Sequence, residues 1–168
     1  MPNTATARDL KAREPDARID ASVPRSAAEA LVSNLVARGF TLQLVLEQRA
    51  AGRLAAVRVL PPGEAEEGVV VDLLLSSSGI EPEICGEAEA IEIAPGLTVP
   101  VARTGHLAAM KLLALAPDRP QDAVDLRRLL TGMPGDERER LSRTLTLIEE
   151  RGASRGKALR GELARWLG

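Results

Sequence analysis

The sequence predicts an α+β protein: a small mixed sheet with helices, followed by a C-terminal helical bundle. Two patterns carry this. Strand-type alternation and one continuous apolar run lie before residue 76, whereas from Thr104 onward apolar residues recur at helical spacing. With 45% hydrophobic and 27% charged residues, the 168-residue chain has ordinary globular usage and can bury a real core.

Residues 1 to 25 show no period and hold three prolines, so they read as an irregular arm with ARIDASV as a short strand. Ser26-x-x-Glu29 has the form of a capping box, which predicts a helix from Ala27 to Arg38 stopped by Gly39. Leu42, Leu44 and Leu46 then alternate, a turn falls at Ala51-Gly52, and Ala55, Val57 and Val59 alternate in turn, predicting a β-hairpin. After the acidic loop 61–67, Val69 to Leu75 is apolar except for Asp72, as expected of a central strand covered on both faces.

Ser76 to Gly79 read as a turn, followed by a short helix through Ala90, a turn at Pro95-Gly96 and an extended Val99-Pro100-Val101. Thr104 can cap a helix from Gly105 to Leu115. Further helices are expected from Asp122 to Leu130, from Gly135 to Arg151, and from after Gly156 to Trp166. By this reading residues 1–102 form an α/β core and 103–168 a helical region packed on it as one compact unit.

Composition removes several functions. One cysteine, Cys85, excludes an intrachain disulfide and any multi-cysteine metal site, and its acidic neighbours Glu83 and Glu87 disfavour a thiolate. Phe40 and Trp166 are the whole aromatic content, so there is nothing to build a base-stacking platform from. The net charge of −2 gives no global attraction for polyanions, and any such site must be local. The polar N-terminus lacks a signal-peptide apolar core, and no run of about 18 apolar residues occurs, so the expected localisation is cytoplasmic with no membrane contact.

Asp72 is the first residue to point to chemistry. An ionised carboxylate among aliphatic neighbours is costly unless paired or metal-bound, so it is either a partner for an arginine such as Arg58 or a functional group. Lys111 is the one cation of the otherwise apolar GHLAAMKLLAL helix. Arg119, Asp122 and Asp125 follow it at spacings that bring all four to one helix–helix corner, whether as structural ion pairs or as a site. His106, near a helix N-terminus, reads as a neutral hydrogen-bonding group, and the glycine-punctuated basic run Arg151 to Lys157 as either a phosphate-holding loop or a solvated helix break.

Taken together, the Gly-Phe after a helix, the hairpin, VVVDLLLSSSGIEPEI and then PGLTVPVARTGHLAAMKLLALAPDRPQDAVDLRRLL resemble the AbiEii-type and related minimal nucleotidyltransferases, over Gly39 to Trp166. The resemblance implies a nucleotidyltransferase-like fold for residues 1–102 and Mg²⁺-dependent transfer of a nucleotide from a nucleoside triphosphate to RNA or protein. It also implies a cognate antitoxin as partner, since some members act as toxins that modify transfer RNA. Asp72 matches the family's third aspartate, Lys111 a lysine that contacts nucleotide phosphates, and Asp122 the acidic position after it. By the same resemblance Arg119 joins Lys111 at the nucleotide, and Asp9, Asp20 and Asp72 are the metal ligands.

The match departs at the N-terminus. No Gly-rich turn with its helix precedes the arm, and the Asp-x-Asp motif is broken: Asp9-Leu10-Lys11 has lysine in second place and Arg18-Ile19-Asp20 has arginine in first. The alternative function is therefore a catalytically degenerate nucleotidyltransferase-fold module acting through protein–protein contact or homodimerisation.

Overall fold

A computed structural model describes residues 17–48, 53–65, 68–75 and 78–167. The chain forms two compact units, Met1–Leu75 and Ser76–Gly168. No helix among the described residues is long and apolar enough to cross a membrane.

The first unit runs β1 (Ala17–Val23), α1 (Arg25–Ala37), β2 (Thr41–Gln48), β3 (Arg53–Leu60) and β4 (Val69–Leu75). Its sheet has the order β1-β4-β3-β2, with β1 parallel to β4 and the other neighbours antiparallel. The apolar run 69–75 is thus a central strand, as its composition required. Register places Val57 opposite Leu73 and Val59 opposite Val71 on one side, and Ala21 opposite Leu73 and Val23 opposite Leu75 on the other. These odd-numbered positions share one face, and with Ala28, Leu31, Val32 and Leu35 of α1 they make the unit's core. Side chains alternate across a strand, so Arg18, Asp20, Arg58 and Asp72 necessarily share the opposite face.

The helix α1 starts at Arg25, earlier than the capping-box pattern predicts, with Pro24 at the N-cap and no side-chain cap. Proline, lacking an N–H and fixed in φ, suits the entry to a helix. Ser26 therefore lies inside the first turn and cannot cap. The C-terminal stop forms as read: Gly39, at φ +88°, donates its N–H to the Val36 carbonyl and Phe40 to that of Leu35, each at 3.0 Å. That paired arrangement needs the left-handed conformation glycine adopts without strain. In the β2–β3 hairpin Leu42 is exposed, and residues 49–52, including the expected Ala51-Gly52 turn, lie outside the described residues.

The second unit runs α2 (Glu81–Gly86), β5 (Glu89–Ala94), β6 (Leu97–Val101), α3 (Thr104–Ala114), α4 (Pro120–Leu130), α5 (Gly135–Glu150) and α6 (Leu159–Leu167). The helix expected through Ala90 ends at Gly86 instead. Ile91 and Ile93 alternate with polar or small residues, and Pro95-Gly96 turns the chain so that Ile91 pairs with Val99 in an antiparallel hairpin. Cys85 is exposed on α2.

Around α3 the packing is tightest. Ala108, Ala109 and Leu112 are fully buried against Leu126, Leu141, Leu145, Ile148 and Leu159 from the other three C-terminal helices. Thr104, read as a cap, is the first helical residue; the free N–H of Gly105 instead donates to the Glu137 carboxylate of α5 at 2.7 Å. At the other end of α3, Lys157 donates to the carbonyls of Leu113 and Leu115 at 2.8 and 2.6 Å, so this cation of the basic run closes a helix C-terminus.

The approach of α5 to α3 leaves no room for a side chain at residue 105. A Cβ there would stand 2.5 Å from the Glu137 carbonyl oxygen and 2.9 Å from the Leu141 nitrogen, both backbone atoms. Alanine is intrinsically the better helix former by about 1 kcal/mol. Against that, overpacking on rigid backbone costs about 1–3 kcal/mol. Gly105→Ala is therefore expected to lower stability, read as a reduced denaturation midpoint; an equal or raised midpoint would show that α5 moves away freely.

Candidate functional site

In the first unit the charged face of the sheet forms a row. Asp20 on β1 pairs in register with Asp72 on β4, which pairs with Arg58 on β3. Arg58 forks onto Asp72, Nε to Oδ1 at 2.6 Å and NH2 to Oδ2 at 2.7 Å. These hydrogen bonds are the main reason the Arg58 guanidinium is held above its ordinary pKa. Arg18 stands on the same face, its Nε 3.2 Å from Asp20 and 3.8 Å from Asp72. Asp72 is 13% exposed at its side chain while Asp20 is 45% exposed, so the row is closed at its centre and open at its β1 edge.

Two carboxylates on adjacent strands are oxygen donors of the kind Mg²⁺ takes. Here both oxygens of Asp72 already accept from Arg58, and Arg18 lies along the pair. Among the described residues no group of three or more His, Cys, Asp or Glu is placed to hold a metal ion. The described residues therefore do not fit a resident Mg²⁺. Asp9, the other expected ligand, lies outside the described residues.

In the second unit Lys111, Arg119, Asp122 and Asp125 do come together at the α3–α4 corner. The Lys111 ammonium is 2.8 Å from Asp122 Oδ1 and 2.9 Å from Asp125 Oδ2. Arg119 Nε stands 3.0 Å from Asp122 Oδ2, an ion pair without hydrogen-bond alignment, since that oxygen accepts no hydrogen bond. Helix α4 starts at Pro120, two residues before Asp122, so Asp122 sits in its first turn where the helix dipole favours a carboxylate. Burial by itself would pull the Lys111 pKa down, but the hydrogen bonds to Asp122 and then Asp125 outweigh it and the net shift is upward. Asp125 is held below the usual carboxylate range, first by Lys111 and then by the Gln121 amide at 2.8 Å.

His106 is 1% exposed, and burial is the main cause pulling its pKa below the ordinary histidine value, with Glu87 opposing. It lines a cavity of about 350 Å³ with Glu83, Glu87, Arg140 and Arg143. The expected neutral imidazole is thus favoured by burial more than by the helix N-terminus. Sequence reading missed a further cluster: Arg103 bridges Glu89 at 2.7 Å and Glu137 at 3.0 Å, and Arg140 binds Glu137 and Glu87. Glu137 and Arg140 are an i,i+3 pair on α5, but the other members lie up to 53 residues away, so no sequence pattern marks the cluster as a whole.

Small sheets with helices make this an α+β protein, consistent with a nucleotidyltransferase-like fold. The family described as "Nucleotidyl transferase AbiEii toxin, Type IV TA system" matches residues 5–167, almost the whole chain, and the chain belongs to that family. No curated protein matches it.

The sign of the pH dependence at the α3–α4 corner follows from these shifts. The Asp125 contribution is complete above the unfolded carboxyl pKa of about 4 and is lost as pH falls through the lower folded value. The Lys111 contribution is complete below the unfolded lysine pKa of about 10.4 and is lost only as pH rises through the higher folded value. Because the Asp125 side chain is 27% exposed, solvent screening keeps the pair to roughly 0.5–1 kcal/mol. Asp125→Asn is expected to lower Tm slightly at neutral pH and to flatten the loss of Tm below about pH 4; parallel acid profiles for wild type and variant would contradict the assignment.

Proposed function

We propose that the chain is a toxin-type nucleotidyltransferase that moves a nucleotide from a nucleoside triphosphate onto an RNA or protein acceptor, in the cytoplasm, under a cognate antitoxin partner. The observation that carries this reading is the registered Asp20–Asp72 pair in a member of a nucleotidyl transferase family. In the reaction an acceptor hydroxyl oxygen bonds to the α-phosphorus, the bond from that phosphorus to pyrophosphate breaks, and the hydroxyl proton must leave. Asp20, the more exposed carboxylate, receives that proton, while Asp72 fixes Arg58 and through it the row. Arg18, on the same face as Asp20 and Asp72, neutralises phosphate charge. Within the second unit, Asp122 and Asp125 aim the Lys111 ammonium and Arg119 adds a second cation beside Asp122. Mg²⁺ enters in this reading with the triphosphate, as part of the substrate.

One observation favours a second reading, a degenerate nucleotidyltransferase-fold module that works through protein–protein contact or homodimerisation. Asp72 is engaged at both oxygens by Arg58, as a purely structural carboxylate would be.

The two separate in one assay. Protein is incubated with each α-labelled nucleoside triphosphate, Mg²⁺ and mixed RNA and protein acceptors. Wild type is expected to label one acceptor class, and Asp72→Asn to label it at least about a hundredfold more slowly at unchanged melting temperature. Labelling by Asp72→Asn at the wild-type rate, or none by wild type with any donor, would overturn the transferase reading; the second outcome together with a dimer in sedimentation would support the module.

A further inference from the structure

The row on the charged face of the first unit's sheet carries its own charge compensation. Asp20 and Asp72 are register partners on parallel strands, about 4.8 Å apart at the backbone, where two ionised carboxylates repel unless a cation stands with them. Among the described residues two guanidiniums stand with them. Arg58 holds Asp72 through two bonds of 2.6 and 2.7 Å, and Arg18 spans the pair, 3.2 Å from Asp20 and 3.8 Å from Asp72. Among the described residues of the row, two carboxylates and two guanidiniums sum to zero. A divalent ion entering between the carboxylates would meet two fixed positive charges and would need an Asp72 oxygen that already accepts a charge-assisted hydrogen bond. Guanidinium is well suited to that place, since it stays charged at any pH the protein survives and its planar fork matches a carboxylate.

We propose that Arg58 and Arg18 occupy the place a divalent cation would take between Asp20 and Asp72, so that the face is charge-compensated by the protein's own side chains and takes up no metal ion there. The proposal concerns the face used in the transferase reading but does not need that reading: metal uptake is measured without nucleotide or acceptor, so either can fail while the other stands.

The test titrates Mn²⁺ alone into the full chain and follows free Mn²⁺ by electron paramagnetic resonance, for wild type, Asp72→Asn, Arg58→Gln and the Arg58→Gln/Asp72→Asn double variant. Wild type and Asp72→Asn are expected to take up Mn²⁺ identically. Arg58→Gln is expected to bind one ion at least about tenfold more tightly, and the double variant to lose that gain. Uptake by wild type that Asp72→Asn abolishes would overturn the proposal. So would a folded Arg58→Gln that gains nothing. Should circular dichroism show Arg58→Gln unfolded, Arg18→Gln, altered at a half-exposed side chain, carries the same test: a gain removed by Asp20→Asn supports the proposal and no gain overturns it.

Discussion

In the first unit everything rests on the two-residue period of the strands. Val57 and Val59 on β3 and Leu73 and Leu75 on β4 must face α1 to make a core, and they are 0 to 3% exposed. Once they do, Arg58 and Asp72, each one residue out of phase with that set, have only the other face to occupy. Asp72 cannot then be left alone on a central strand, because a carboxylate largely removed from water is strongly destabilising unless it is paired and hydrogen-bonded. The Arg58 fork on the next strand solves that problem locally, and Arg18 does the same for Asp20 at the sheet edge. Core packing and the charged row are thus two consequences of one alternation.

The second unit depends on a different constraint, the near contact of α3 and α5. Glycine at 105 and alanine at 108 and 109 keep the surface of α3 low, so α5 can bring a carboxylate onto the helix N-terminus. Glu137 there satisfies a backbone donor, draws in Arg103 and Arg140, and through them gathers Glu87 and Glu89. Lys157 acts in the same way at the opposite end of the helix. The arginine-rich composition has a structural role in each unit: Arg18 and Arg58 in the first, and Arg103, Arg140, Arg151 and Arg160 in the second, each reach a carboxylate, where a planar fork holds geometry better than an ammonium. In these clusters positive and negative groups nearly balance, in keeping with a net charge of −2.

Much of the fold was legible because its signals are local. The helix stop at Gly39 is a conformational requirement of one residue, and the apolar run 69–75 could only be a covered strand. The start of α1 was misread because Ser26 and Glu29 have capping-box spacing while Pro24 already supplies a suitable entry. The stretch after Gly86 was misread because Glu and Ala favour helix, whereas pairing with β6, settled by the Pro95-Gly96 turn, decides for strand. At the candidate site the α3–α4 corner could be read from spacing, since three and four residues along a helix are neighbours in space. The Glu137 cluster could not, because apart from the Glu137–Arg140 pair its bonds join residues far apart in the chain.

The sequence by itself determined the α+β class, the family and the identity of the charged residues, since periodicity, turn chemistry and motif spacing are properties of neighbouring residues. Only the tertiary structure decided which charges meet. Asp20 stands beside Asp72 because β1 adds to β4 in parallel register, a choice made by packing across more than fifty residues of chain. Arg58 closes on Asp72 because β3 lies on the other side of that same strand. Strand order and register are set by the burial of the whole sheet, a sum over many residues, and no short stretch of sequence contains it.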